Sequence, residues 1–126
     1  MRIRNFEDVI AWQKGEELYI GLSKELKYER DLSFKDQIMR ACLSITNNIA
    51  EGFDRSSDKE LRQFLVIARG SCAEVRSMLH IALAANKIHQ NEYKQFTGIS
   101  IEISKLLTGF IGKLATSDKR RETKRD

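Results

Sequence analysis

The chain has 126 residues, 32% of them charged, with a net charge of +4 and a pI near 9.2. That length supports one domain burying about two-thirds of its unfolded surface. The absence of proline argues against linkers, hairpins and a second domain. No apolar run approaches a membrane span, and the N-terminus lacks the apolar core of a signal peptide, so a cytoplasmic protein is expected.

In chain order, Asn5 is expected to cap the first helix, with Glu7 and Asp8 in its first turn favouring the dipole. Val9, Trp12, Tyr19, Leu22 and Leu26 form its core stripe, and Trp12 reads as a core anchor before a stacking platform. Gly15 interrupts the stripe. It weakens the helix by up to about 1 kcal/mol relative to alanine but lets a neighbour approach closely. The turn over residues 28–32 leads to Ser33, which with Asp36 marks the start of the second helix. Ile38, Cys42, Ile45 and Ile49 give that helix an apolar stripe. Arg40, Ser44, Asn47 and Glu51 give it a polar one about half a turn around. Gly52 is expected to stop it in the left-handed conformation.

The short connection over residues 53–56 makes the third helix antiparallel to the second. Ser57 and Glu60 form a capping box at its start. It should run to about Ala85, about 40 Å, with Asn86 as its stop. Ile88 tucks the next loop against the core, and residues 89–91 lead into a fourth helix. That helix's stripe is Phe96, Ile99, Ile103, Leu106, Leu107, Phe110 and Leu114. From Ser117 nothing apolar remains to bury, so residues 117–126 read as a disordered basic tail. Residues 1–116 are thus an all-α, antiparallel up-down-up-down four-helix bundle.

The third helix is apolar on too many sides for a simple surface helix. Its core face is Leu61, Phe64, Leu65, Ala68, Cys72, Val75, Leu79 and Ala82. Outside that arc lie Ile67 and Ile81 with Gly70 between them, and Val66 and Ala73 on another flank. Either these are scattered exposed apolar residues or a second subunit covers them. Glu74 beside them has no cation three or four residues away, so burial in an interface would demand a partner from elsewhere. Arg40 is one candidate, although Asp36 already offers it an ordinary helix pair. The interface candidates are Arg40, Asn47, Glu51, Ile67, Gly70, Glu74 and Ile81.

Arg55, Arg62, Arg69 and Arg76 recur every seven residues, with about 20° of drift per heptad. Arg55 has Glu51 and Arg62 has Asp58 four residues back. Arg69 and Arg76 have no acid at three or four residues, so they meet water, another helix or a ligand. Arg62, Arg69 and Arg76, with Lys119, Arg120 and Arg121 of the tail, are the candidate phosphate contacts. The mild basic excess permits nucleic-acid binding without demanding it.

Catalysis finds no support. His80 and His89 lie near no arrangement suggesting a nucleophile and base, and no phosphate loop or metal-ligand spacing occurs. Cys42 and Cys72 fall on apolar stripes and read as buried reduced thiols. No cofactor or metal is expected.

The run Arg40-x-Ala/Cys-x-Ser44-Ile45-x-x-Asn48-Ile49-Ala50-Glu51-Gly52, followed by Arg55, Glu60, Phe64-Leu65, Ala68, Gly70-Ser71 and Glu74, carries a resemblance. It resembles the bacterial four-helix-bundle proteins encoded in intervening sequences of 23S ribosomal RNA genes. Phe6-Glu7-Asp8-Val9-x-x-Trp12-Gln13-Lys14 is similar to the start of that family, so the likeness covers roughly Arg4 to Leu114. Thr46 departs from it, standing where the family usually has proline, and restores a backbone donor inside the helix. The resemblance implies a ring-like homo-oligomer, a pentamer, and kinship with accessory proteins of diversity-generating retroelements, which work beside nucleic acid and a reverse transcriptase. Two functions fit: an oligomeric bundle that binds RNA or DNA without sequence specificity, or a structural adaptor ring that binds a protein partner.

Overall fold

Three- and four-residue apolar spacing, uninterrupted by proline, gives four α-helices: α1 (Ile10–Glu25), α2 (Leu32–Phe53), α3 (Asp58–Ala84) and α4 (Gln90–Lys124). A computed structural model describes the backbone of residues 5–124 and the side chains of residues 5–115. Among these there is no strand. Each helix packs on its sequence neighbours and α1 packs on α4, whereas the diagonal pairs are farther apart at the backbone; across the α2/α4 diagonal the Phe53 and Phe110 rings meet edge to face at 5.5 Å. Contacts between neighbours run in opposite register. Gly52 meets Phe64 while Ser44 meets Ser71, and Cys72 meets Ser100 while Arg69 meets Thr108. Gly21 likewise meets Phe96 while Lys14 meets Glu102. The architecture is the antiparallel four-helix bundle.

Leu18, Leu22, Ile38, Ile45, Ile49, Leu65, Leu79 and Ile103 are fully buried, each worth about 1.5–3 kcal/mol relative to exposure. Leu18 belongs to the core more deeply than Trp12 or Tyr19, which are half-buried at the α1–α2 edge. Ile88 tucks beneath the α3–α4 loop as expected.

Four helix ends depart from the sequence reading. Asn5 makes no side-chain cap; it precedes a 3-10 turn over Phe6–Asp8, and α1 begins after Val9. α2 is capped by Asp31, not Ser33: the Asp31 carboxylate accepts from the Phe34 N–H at 3.1 Å. Gly52 is not left-handed. It lies inside α2, buried, and no glycine of the described residues has a positive φ. Glycine is required there by space: a Cβ would lie 2.9 Å from Phe64 Cβ and 3.0 Å from Leu61 Cδ1. α4 stays helical through Lys124, past Ser117, the expected start of a disordered tail. No proline or glycine follows Gly112 to end it. The side chains of Lys119, Arg120 and Arg121 lie outside the described residues.

Two other signals hold. Ser57 Oγ accepts from the Glu60 N–H at 3.1 Å at the start of α3, the forward bond of the expected capping box without its return bond. Asn86, at φ 59°, ends it: Lys87 N–H donates to Ala82 O and Asn86 N–H to Leu83 O, the paired bonds of a Schellman stop. That stop delivers Lys87 to the α1–α2 turn. Its ammonium lies 2.9 Å from Glu29, 3.4 Å from Asp31 and 5.2 Å above the Phe34 ring. One lysine therefore ties both loops at this end of the bundle.

Gly52→Ala is expected to destabilise by about 1–3 kcal/mol through overpacking, although alanine is the better helix former. Gly98→Ala, where the added methyl meets nothing within 4 Å, should stabilise by up to about 1 kcal/mol. Denaturant midpoints moving in the same direction would refute the spatial account.

The Lys87 clamp sets a second expectation. Glu29 is held below the ordinary carboxylate range by its bond to Lys87; Asp31 is held down first by the Phe34 N–H, then by Lys87. Lowered folded-state values stabilise above the ordinary carboxylate pKa and lose that contribution as pH falls through them. The stability gap between wild type and Lys87→Met should therefore narrow from about pH 6 to about pH 3. A constant gap across denaturation curves in that range would exclude the clamp.

Candidate nucleic-acid interface and self-association surface

The heptad spacing of Arg62, Arg69 and Arg76 lays them along the flank of α3 that faces α4. Arg62 and Arg69 are half-buried and Arg76 is exposed. Arg62 is engaged, as is Asp58 one turn earlier. Arg69 donates to Thr108 Oγ1 at 3.3 Å across the seam. Arg76 has no hydrogen-bond or ion-pair partner among the described residues. Across the seam α4 offers hydroxyls, Thr108 to Arg69 and Tyr93 to His80, while the Thr97 hydroxyl is buried without a hydrogen-bond partner. Arg69 thus meets a neighbouring helix without meeting an acid, and Arg76 keeps its full donor set for water or a ligand. Arg55 is spoken for, 3.0 Å from Glu51 and stacked 5.0 Å from the Phe64 ring.

The seam ends at His80, whose Nε2 lies 2.9 Å from Tyr93 Oη, with the rings edge to face at 5.2 Å. Sequence spacing sets His80 beside Arg76 and does not find Tyr93, because the pairing depends on the register between α3 and α4. His89 is exposed at the start of α4, where its carbonyl accepts from the Tyr93 N–H.

The opposite flank of α3, against α2, is built differently. Asn48 Nδ2 donates to Ser44 Oγ at 3.0 Å and Ser44 O at 2.7 Å. Ser44 Oγ and Ser71 Oγ lie 2.8 Å apart, and Ser71 donates to Ile67 O at 3.3 Å. With Ser71 donating there, Ser44 donates to Ser71, so one polar chain fixes the register of α2 on α3. Around it the interface candidates Arg40, Asn47, Glu51, Gly70 and Glu74 line the surface; Ile67 is 52% and Ile81 54% exposed. Glu51 pairs with Arg55 in its own chain. Arg40 and Glu74 pair with nothing among the described residues, so Asp36 does not claim Arg40. The two candidate sets occupy separate flanks of α3.

A third feature escaped the sequence reading. A groove of about 370 Å³ runs between α1 and α2, with Phe6, Trp12, Tyr19, Leu43 and Ala50 among its walls. Phe6 and Trp12 pack at 5.1 Å. Its floor is Thr46, against which Gly15 brings α1 so close that a Cβ would lie 2.7 Å from the Thr46 methyl. The spacing of Leu43, Thr46 and Ala50 carried the signal, a second apolar stripe on α2 beside the core one.

Burial raises the Cys42 thiol to about 12, with Cys72 nearby adding to it. Burial also raises Cys72 to about 11, and the Arg76 charge offsets part of that. Both thiols are protonated at neutral pH and lack thiolate reactivity. Among the described residues no group of three or more His, Cys, Asp or Glu is placed to hold a metal ion, and no helix is long and apolar enough to cross a membrane.

The fold and these surfaces define a four-helix bundle with polar seams and a third helix that leaves Val66, Ile67 and Ile81 exposed. The sequence pattern of the 23S rRNA-intervening sequence protein family matches residues 7–109, and the chain belongs to that family. Among solved structures it is similar to a protein of unknown function from the S23 ribosomal protein family of Bacteroides thetaiotaomicron. The identity is 25%, covering 81% of this chain and 98% of the other, with a TM-score of 0.76. No curated protein gives a comparable match.

Because Arg76 has no partner among the described residues and Arg69 only a hydroxyl, the double variant Arg69→Gln/Arg76→Gln should keep its stability within about 0.5 kcal/mol of wild type. A larger loss in urea denaturation would mean that the arginines hold α3 to α4.

Proposed function

We propose that the chain is a non-enzymatic, self-assembling helix bundle that binds RNA or DNA without sequence preference, through the α3–α4 seam. The observation that supports it is Arg76, exposed and without an acidic partner among the described residues, in line with Arg69 and Arg62 beside the Thr108 hydroxyl of α4. Spacing of about 10 Å between successive arginines suits a row of phosphates, which such side chains bind irrespective of base. The exposed Thr108 adds a neutral donor for backbone oxygens, and Lys119, Arg120 and Arg121 extend the basic character in sequence. The family name, which refers to intervening sequences of 23S rRNA, supports this reading. One bundle offers few contacts; a closed homo-oligomer repeats the seam and raises affinity without new chemistry. The apolar outward face of α3 supports that assembly.

Arg69→Gln/Arg76→Gln should weaken binding to unrelated sequences about equally. The slope of log affinity against log salt should flatten by about 0.7–0.9 for each phosphate that is no longer neutralised. A version truncated after Ser117 separates the seam from the C-terminal basic residues. Sequence-selective weakening, or an unchanged salt slope, overturns the assignment. Failure of wild type to bind at about 50 mM salt, where such interactions are strongest, hands the seam to an acidic protein partner.

A further inference from the structure

The α3–α4 seam has cations on both of its banks. On α3, Arg69 has only a hydroxyl for a partner, and Arg76 has none among the described residues. On α4, Lys94, Ile101, Lys105 and Thr108 follow one another at steps of seven, four and three, which puts them on one stripe. The Arg69–Thr108 bond places that stripe beside α3. Lys94 and Lys105 are exposed and have no hydrogen-bond or ion-pair partner among the described residues. Over residues 69–80 and 93–108 the carboxylates are Glu74, on the α2 flank of α3, and Glu102, 3.5 Å from Lys14 of α1. Ile67 and Ile81, which form an outward apolar ridge on α3, also belong to that other flank.

We propose that this face binds double-stranded nucleic acid, with Arg69 and Arg76 neutralising phosphates on one side of a groove and Lys94 and Lys105 on the other. This rests on the nucleic-acid reading already proposed for the seam and names the class of ligand. Register brings the four cations together. Thr108, which meets Arg69, lies one turn from Lys105, and Tyr93, which meets His80 one turn beyond Arg76, is the neighbour of Lys94. Packed helices have axes about 8–10 Å apart, so the cations form two rows rather than one. That separation is comparable with the width of a B-form major groove, about 12 Å, whose two edges are phosphates of opposite strands. Along the rows the arginines are about 10 Å apart and the lysines about 16 Å.

The aromatic side chains decide between a duplex and an unpaired strand. Proteins that hold single strands supply rings on which successive bases stack. The Phe and Tyr residues of α3 and α4 are Phe64, Tyr93, Phe96 and Phe110, and each ring is already engaged within the bundle. Arg55 stacks on Phe64, Phe96 is buried against Gly21, and Phe110 meets Phe53 edge to face. Tyr93 and His80 hold each other edge to face at 5.2 Å, with the Tyr93 hydroxyl bonded to the imidazole. Unpaired bases therefore find cations here and no platform. A duplex needs none, because its bases stack on one another and phosphate lines its outer surface.

Fluorescence anisotropy on the full chain, freed of nucleic acid by nuclease, tests this with three labelled probes: a DNA duplex, an RNA duplex, and a non-pairing DNA strand of twice the length. The three carry the same number of phosphates. Wild type should bind a duplex more tightly than the single strand, and whether DNA, RNA or both show the preference identifies the source of the duplex. Lys94→Gln/Lys105→Gln should flatten the slope of log affinity against log salt on that duplex by about 1.8, for two phosphates no longer neutralised. It should also bring duplex affinity down towards that of the single strand, with helicity and assembled mass as in wild type. Both lysines are exposed and unpartnered, so folding is not at stake; should helicity fall, Lys94→Arg/Lys105→Arg must keep the duplex preference for the proposal to stand. A single strand bound as tightly as the duplexes, or a lysine variant with the wild-type duplex slope, overturns the duplex assignment and leaves the seam reading in place. Binding of none of the probes at about 50 mM salt overturns both.

Discussion

The closeness of α2 to its two neighbours is the constraint from which the rest of the bundle follows. Gly15 lets α1 descend onto Thr46, and Gly52 lets α2 descend onto Phe64 and Leu61. Each contact leaves no room for a methyl group, so α2 is gripped at both edges by backbone-level packing. Interiors at that density do not accommodate extra volume without shifting backbone. Between these points the Asn48–Ser44–Ser71 chain of hydrogen bonds fixes which turn of α2 meets which turn of α3. A one-turn slip would break the bond of this chain that crosses between the helices, Ser44 to Ser71, at a cost of about 1 kcal/mol.

That tight seam also shapes the surface. Small and hydroxyl-bearing residues hold α2 against α3, so the bulkier Ile67 and Ile81 stay on the outward side of α3. On the α1 side, Thr46 and Gly15 lie so close together that the larger Trp12, Tyr19 and Leu43 splay apart above them. The groove is the space between. Ridge and groove are thus two consequences of one packing decision: small residues at the contact, large ones displaced to its rim.

Periodicity made the four helices and most of the core legible, because helix formation with one apolar face is a local property of the chain. Helix ends were less so. Asn86 was readable, since asparagine tolerates the left-handed stop, but the same logic failed at Gly52. Glycine answers equally to two demands, unusual φ and lack of space, and only the approach of Phe64 shows which one applies. Asp31 and Ser33 are both good capping residues, two positions apart, and the role fell to the one that Lys87 also holds. The pairing of His80 with Tyr93, the clamp at Lys87 and the groove at Trp12 all depend on register between helices. Sequence spacing cannot supply that. The arginine stripe was visible, but its meaning was not: the absence of acids opposite Arg69 and Arg76 emerges only once α4 is aligned on α3.

The division of α3 into two flanks decides whether self-assembly and nucleic-acid binding can coexist. Had Arg69 and Arg76 fallen on the flank of Ile67 and Glu74, any contact that covered the apolar ridge would have buried them too. Buried without carboxylates, they would have opposed assembly strongly. The seven-residue repeat instead keeps them on the α4 side, where Thr108 and Ser104 supply hydroxyls and no competing acid. In the proposed assembly each added copy therefore extends the arginine row while covering apolar surface elsewhere. Affinity for a polyanion then grows with the number of seams that one strand can reach. It stays within the modest charge of a single chain, whose net +4 is too small to repel its neighbours from a close contact.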